Sequence, residues 1–439
     1  MTRSAGSVSD PVQVANSQLR DPAFGHSEIM TRLLPLTPLL IAAGILLAAN
    51  GLQGTLIALR ADFENFPTAV IGLISAAYFV GVMAASWLAP YLIGAVGHIR
   101  VFAGLAAIAA AGTLALVLAI DPVAWAAIRA VMGFCFSGLA TTVESWLNSR
   151  TENTDRGRVL SIYRLVDLAS VTGGQFLLPV FAISGHEIFA VTAILFCLSL
   201  VPVCLMDRTR PKAPEKARFD VPAVWQISPL ACLGCVTIGL TNSAFRLIGP
   251  LFAREIGLGV TGIALFVSAG IIGGAVLQYP LGYLSDRLDR RYGIIVATAG
   301  AMVAGLFLSL YARAPEMVYA GAFMFGAFAL PLYSLSAAHA NDQAADGDYV
   351  MVAAGLSFFF SLGAIVGPFA ASLVIETFGA PAFFTYTSVV HGLLIIVTLY
   401  RMTRRKSVPR EQRTRFVPLL RTSPIFLRMA RKLSRKTRH

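Results

Sequence analysis

The chain has 439 residues, 56% hydrophobic and only 13% charged, with a net charge of +12. That is too little charge to cover a soluble protein of this length, and the apolar residues fall in runs of about 20, enough to cross a hydrocarbon core about 30 Å thick. The basic excess lies in short loops and after Tyr400, the pattern of a membrane topology signal; nucleic acid is not an expected partner.

Residues 1–34 are polar and read as a disordered cytoplasmic tail. The apolar run that follows lacks a small-residue cleavage pattern, so it reads as a membrane span and not as a removed signal. Twelve spans are predicted, near 36–59, 68–91, 100–120, 122–147, 158–182, 187–206, 227–252, 260–284, 292–311, 316–338, 350–375 and 381–400. The connections are short and hold Gly or Pro, as at Asp121-Pro122 and Gly379-Ala380-Pro381. One is longer: 207–226 carries Arg208, Arg210, Lys212, Lys216 and Arg218 with two prolines, and reads as a basic cytoplasmic linker. It separates a six-helix half at 35–206 from a second at 227–401, followed by a basic cytoplasmic tail at 402–439.

Lys and Arg gather in the connections that would share one side with the tail, so both termini are expected in the cytoplasm and the protein in a bacterial inner membrane. The opposite side holds only Arg60, Arg254 and Arg313. From Arg415 onward the tail mixes cations with Phe416, Leu419, Ile425 and Phe426, which suits either an amphipathic segment on anionic lipid or a solvated tail. Cys232 and Cys235 lie inside a span without companion ligands, so helix packing is expected of them, and no metal or cofactor.

The halves superpose on a shift of about 192 to 193 residues. Asn50 falls on Asn242, Pro90 on Gly282, Gly133 on Gly326, Asn148 on Asn341 and Gly174 on Gly367. Two parallel repeats of this kind place a solute site near the midplane between them.

The connection between the eighth and ninth spans reads Gly282-Tyr283-Leu284-Ser285-Asp286-Arg287-Leu288-Asp289-Arg290-Arg291. It resembles the loop pattern of the major facilitator transporters, with Asp289 where the pattern has Gly. The first-half counterpart, 90–100, keeps only Gly97, His98 and Arg100, and Gly94 takes the acidic position. Arg129-x-x-x-Gly133 resembles the family's fourth-span arginine motif, and Gly363-x-x-x-Gly367-Pro368 is similar to the Gly-Pro pattern of exchangers. Glu144-Ser145-Trp146-Leu147-Asn148, Arg156-Gly157-Arg158 and 333–342 look like the YcaD-like branch of this family. The resemblance implies an all-α membrane protein of two pseudo-symmetric six-helix bundles that carries a small solute by alternating access.

Charge inside a span costs about 2.5–3.5 kcal/mol, so the few such residues are candidates for function. Asp167 lies about 13 Å in from Arg158 at 1.5 Å per residue, close to the midplane. Asp167 first and Glu144 second are candidates to carry a coupling proton, with Arg164 three residues from Asp167 as a tuning cation; a fixed ion-pair cluster is the alternative. Arg129 and Arg246, with Asn50, Gln53 and Asn242, are candidates for the solute, because guanidinium and amide groups suit a polar or anionic molecule. Interhelical bonding is the alternative for the amides, and a tie to backbone carbonyls for Arg129. The family places each of these loops near the start of the other half's fifth helix. A cytoplasmic latch is therefore expected from Gly282, Asp286, Arg287 and Arg290 with Arg156 and Arg158, and from Arg100 with Asp346 and Asp348; topology signalling is the alternative.

Neither Gly-Lys nor His-Glu-x-x-His occurs, so an ATP-driven pump and a zinc hydrolase are not expected, nor is any enzyme. Efflux of amphiphiles is the alternative within transport, and a receptor or scaffold on the same fold the alternative outside it. The expected partners are a small solute and the bilayer, with the chain a monomer.

Overall fold

The computed structural model describes residues 36–151, 156–205, 220–311, 314–345 and 348–404, with Pro409, Arg413 and Phe416. Side chains are described from Arg158 onward in the fifth helix. The tail at 1–34, most of the linker, Asp346, the Arg156 side chain and all but three residues beyond 404 therefore lie outside the described residues.

The first half consists of α1 (Thr37–Phe63), α2 (Thr68–Val96), α3 (His98–Leu118), α4 (Pro122–Arg150), α5 (Arg156–Gln175), α6 (Glu187–Leu198) and its short continuation α7 (Leu200–Cys204). The second half consists of α8 (Val221–Ile227), α9 (Pro229–Leu247), α10 (Gly249–Glu255), α11 (Val260–Arg287), α12 (Arg290–Leu310), α13 (Pro315–Ala329), α14 (Leu332–Asn341), α15 (Tyr349–Phe378) and α16 (Ala382–Arg404). Among the described residues, 11 helices are long and apolar enough to cross a membrane. The helix in the fifth position, α5, has 20 residues, a length of about 30 Å. It falls outside that set because Arg156, Arg158, Arg164 and Asp167 all lie on it.

Four predicted spans are interrupted, each at or near a proline; the run at 187–206 divides at Ser199, where Pro202 has no N–H for the Leu198 carbonyl. The run predicted at 158–182 stops as an α-helix at Gln175, tightens into i→i+3 bonds from Phe176 and Leu177 to Gly173 and Gly174, and ends in a 3-10 turn at Leu178–Val180 around Pro179. The run at 316–338 breaks between α13 and α14, because Pro331 has no N–H for the carbonyl of Ala327. The run at 227–252 divides between α9 and α10, where Pro250 likewise leaves the Arg246 carbonyl without its helical donor. Asp220 caps α8 through the N–H of Ala223, so the second half begins a turn before the boundary expected at 227.

The repeat appears as matched contacts between helices. An added Cβ on Gly133 would meet the Tyr78 carbonyl of α2, and one on Gly326 would meet the Gly270 carbonyl of α11. Gly81 lies on Ala130 as Gly273 lies on Phe323, and Gly174 lies on Ala48 as Gly367 lies on Leu240. Each pair follows the 192 to 193 residue shift, so both bundles use glycine to let backbones touch at equivalent crossings.

The two ends of the molecule differ. We call the end holding the α2–α3 and α11–α12 connections the basic end, and its opposite the far end. One apolar core runs through the second half and takes in the far-end residues of the first, including Leu56, Leu59, Ile71, Trp125 and Phe189. The basic-end residues of the first half form a separate core around Phe102, Leu139, Trp146 and Tyr163. Polar ties join the halves at the far end: Arg254 pairs with Asp62, and the Ala69 N–H donates to Glu376 at 2.7 Å. Gly72 of α2 sits against Ser372 and the Pro368 carbonyl of α15. The halves thus share apolar core at the far end and have separate cores toward the basic end.

Candidate functional site

The first-half candidates converge. Arg129 on α4 is 2% exposed and reaches Gln53 on α1 at 3.4 Å, while its guanidinium stacks 4.3 Å from the Tyr78 ring of α2. Gln53 also donates to Thr113 of α3 at 3.0 Å, and the Tyr78 hydroxyl donates to Asn50 at 3.0 Å. A single polar chain, Asn50–Tyr78–Arg129–Gln53–Thr113, therefore ties four helices. Arg129 Nε is buried without a hydrogen-bond partner among the described residues, so the guanidinium is only partly satisfied by them. Gln53 and Arg129 sit inside the first half, whereas Asn50 is half-buried at its edge. Gln175 adds a clamp: it accepts from Thr55 at 2.8 Å and donates to the Gly51 carbonyl at 2.6 Å, fixing the end of α5 on α1.

The seam between halves carries a second polar line. Arg164 Nη2 on α5 donates to Gln278 Oε1 on α11, and Gln278 donates onward to Ser334 of α14 at 2.9 Å. Arg164 Nη1 is buried without a hydrogen-bond partner among the described residues. Asp167 is half-buried one turn along, and its charge acts on Arg164. Glu144 is 1% exposed, on the turn of α4 where Ser145 meets His98 at 3.0 Å. Asn242 and Arg246 are half-buried on α9, and Asn242 Oδ1 is buried without a hydrogen-bond partner among the described residues.

At the basic end of the second half, Arg290 is 2% exposed and bonds Asp342 of the α14 terminus and Asp286 of α11, each at 2.7 Å. Asp286 also accepts the Phe416 N–H, at 2.9 and 3.0 Å to its two oxygens. Gly282 lies under the Phe416 ring, and Arg287 stacks 4.3 Å from the Tyr283 ring. Asp289 caps α12 through the Arg291 N–H and holds the Arg291 guanidinium at 2.5 Å. Burial pushes the Asp289 carboxyl up, but its bonds to Arg291 and the charges of Arg291 and Arg413 outweigh that and hold it below its usual range. Arg100 and Arg158 are exposed, and Asp348 is half-buried just ahead of α15. Among the described residues the Asp286 partners are Arg290 and Phe416, both from its own half of the chain.

Tyr78, Thr113, Gln175 and Gln278 were not among the residues singled out from sequence, while Ser334 and Asp342 entered only within the stretch 333–342 and Phe416 only as part of the tail. Gln278 and Gln175 carried a usable signal, since each is an amide inside an apolar run. Tyr78 carried none.

The chain matches the family model described as Major Facilitator Superfamily over residues 39–232 and again over 230–434. It is 25% identical over 383 residues to the uncharacterized MFS-type transporter YcaD of Escherichia fergusonii, covering 84% of this chain and 97% of that protein. A Yersinia enterocolitica MFS-type transporter is 26% identical over 388 residues, with the same coverage. Among solved structures, the nucleoside transporter NupG aligns with a TM-score of 0.72 at 12% identity, over 85% of this chain and 100% of that one. A bacterial homologue of the lysosomal transporter Spinster, in an inward-facing and unoccupied conformation, aligns at 0.65 and 12%, over 92% and 97%. The double match along nearly all of the chain is the counterpart of the glycine crossings that repeat between its halves. The chain belongs to the Major Facilitator Superfamily, in its YcaD-like branch, and is a membrane transporter.

Proposed function

We propose that this transporter moves a small polar or anionic solute by alternating access, coupled to protons, with both termini in the cytoplasm of a bacterial inner membrane. Under that reading α5 is the twelfth span and its charges face the seam instead of lipid. The observation that carries the solute class is Arg164. It bridges the halves through Gln278 while Nη1 is buried without a hydrogen-bond partner, leaving a charged donor for an anionic oxygen. Arg246, Asn242 and Asn50, all half-buried on α9 and α1, would complete the solute's surroundings. Arg129 and Gln53 would hold Tyr78 and Asn50 from behind.

Asp167 is the proposed proton carrier, with Glu144 second. Protonating Asp167 removes the countercharge beside Arg164, which would alter how strongly Arg164 attracts an anion. The Asp286 loop is the proposed cytoplasmic latch, closing on Arg158 when the basic end shuts; Arg100 with Asp348 is the pseudo-symmetric counterpart. The shared core at the far end fits an arrangement open toward the cytoplasm.

The efflux alternative draws on the Gly363, Gly367 and Pro368 pattern and on the family's loose functional definition. Both glycines lie against α9 backbone, at the carbonyls of Val236 and Leu240, a contact that helix packing alone accounts for.

The test is flux in proteoliposomes against sugars, organic acids and amphipathic cations, with and without a pH gradient. A saturable flux of an acid or sugar, raised by the gradient, is expected. Asp167→Asn should lose gradient-driven uptake and keep exchange; unchanged coupling would remove Asp167 from the scheme, and flux of amphipathic cations alone would favour efflux.

A further inference from the structure

Of the described residues beyond α16, Arg413 and Phe416 meet the molecule on one turn. Phe416 presents its backbone N–H to both oxygens of Asp286. Its ring lies on Gly282, where an added Cβ would collide with the ring, and it packs against the main apolar core. Three residues earlier, Arg413 donates at 2.5 Å to the carbonyl of Leu288, the residue that ends α11. A cation there also favours the negative end of the helix dipole. Hydrogen bond, ring contact and charge therefore meet on one turn, Gly282 to Leu288.

The pseudo-equivalent turn of the first half offers none of these. Gly94 stands where Asp286 does, so the acceptor for a backbone N–H is missing, and Pro90 replaces Gly282. The site is thus specific to one half.

We infer that the turn Gly282 to Leu288 is a docking site for the chain's own segment after α16, anchored by Phe416, and that the docked segment holds the basic end open by occupying Asp286. Docking itself is independent of the transport reading. Its consequence rests on that reading, because Asp286 is the carboxylate proposed to close on Arg158 across the seam. A carboxylate whose two oxygens already take the Phe416 N–H, and one of them Arg290 as well, gains less from a partner across the seam while the segment stays docked, so the two contacts compete. The segment then acts as a brake on closure, released when Phe416 withdraws.

Two experiments on the full chain in nanodiscs separate docking from its consequence. Both use a background with the exposed cysteines removed by Cys197→Ser and Cys204→Ser. First, Gly282→Cys is paired with Phe416→Cys; the ring carbon Cγ lies 2.6 Å from the built Gly282 Cβ. The two Cβ atoms should therefore fall no more than about 4 Å apart, within disulfide reach. Near-complete cross-linking on mild oxidation is expected, in phosphatidylcholine and with added phosphatidylglycerol. No cross-link in either lipid overturns docking, and loss only with phosphatidylglycerol assigns the segment to anionic lipid and overturns it as well.

Second, spin labels at Val96→Cys and Tyr292→Cys, exposed residues on the basic-end connections of the two halves, report the opening of that end. Removing residues 405–439, or Phe416→Ala alone, should raise the ratio of short to long distances roughly tenfold, the effect of losing hydrogen bonds to a charged group. Two distances with an unchanged ratio overturn the brake and leave alternating access standing. A single distance in every variant overturns both.

Discussion

The basic ends of the two halves are built on the same backbone and solved with different chemistry. His98 and Arg290 occupy equivalent positions at the starts of α3 and α12. In the first half His98 shares a 3.0 Å bond with Ser145 and lies 5.7 Å from the Trp146 ring, a contact without an ion pair. In the second half Arg290 bridges Asp286 and Asp342. The glycine crossings are common to both bundles, so the fold does not require the ionic version. In the second half that charge holds Asp286, the carboxylate proposed as a latch. The proposed latch therefore lies where the repeat is broken.

The sharpest way to break the comparison is to remove the Asp342 carboxylate. Asp342→Ala takes from the buried Arg290 its 2.7 Å carboxylate partner on α14, and a lost partner of a buried pair costs about 3–5 kcal/mol. A fall of this size in detergent-solubilised thermal unfolding is expected, with little change for Ser145→Ala in the first half. A smaller effect comes from transplanting the ionic solution. His98→Arg alone should destabilise by about 1–3 kcal/mol, as an unmatched buried donor does. Ser149→Asp, at the position equivalent to Asp342, should recover most of that loss; no recovery would show that the two ends differ in backbone as well as in side chains. The smallest effect concerns Asp289. Its carboxyl is held below the usual range by Arg291 with help from Arg413, so its contribution is complete above that range and is lost as pH falls through the lowered value. The stability difference between the protein and Asp289→Asn should be constant near neutrality and shrink only in acid.

Much of the architecture was legible because a membrane helix must be long, apolar and internally hydrogen-bonded. Spans, halves and repeat register all follow from that constraint. What was not legible came from two sources. Proline interruptions at Pro179, Pro250 and Pro331 sit within runs whose hydropathy gives no sign of a break. The site was harder. Arg129 and Gln53 were visible as polar residues in apolar spans, but periodicity cannot say that Thr113 and Tyr78 close around them. Asp286 was visible as a motif residue facing a fifth helix, yet its partner here comes from residue 416, a long-range contact that no local pattern encodes.

The seam arginine offers the most direct test. Solute flux into proteoliposomes should be measured for the unaltered chain, for Arg164→Gln and for Arg164→Lys, using the organic acids and sugars of the panel. A polar or anionic solute carried through the seam predicts loss of transport in Arg164→Gln, with partial recovery in Arg164→Lys, since a point charge replaces a bidentate fork. Full transport of the same solute by Arg164→Gln would contradict that prediction and with it the proposed solute class.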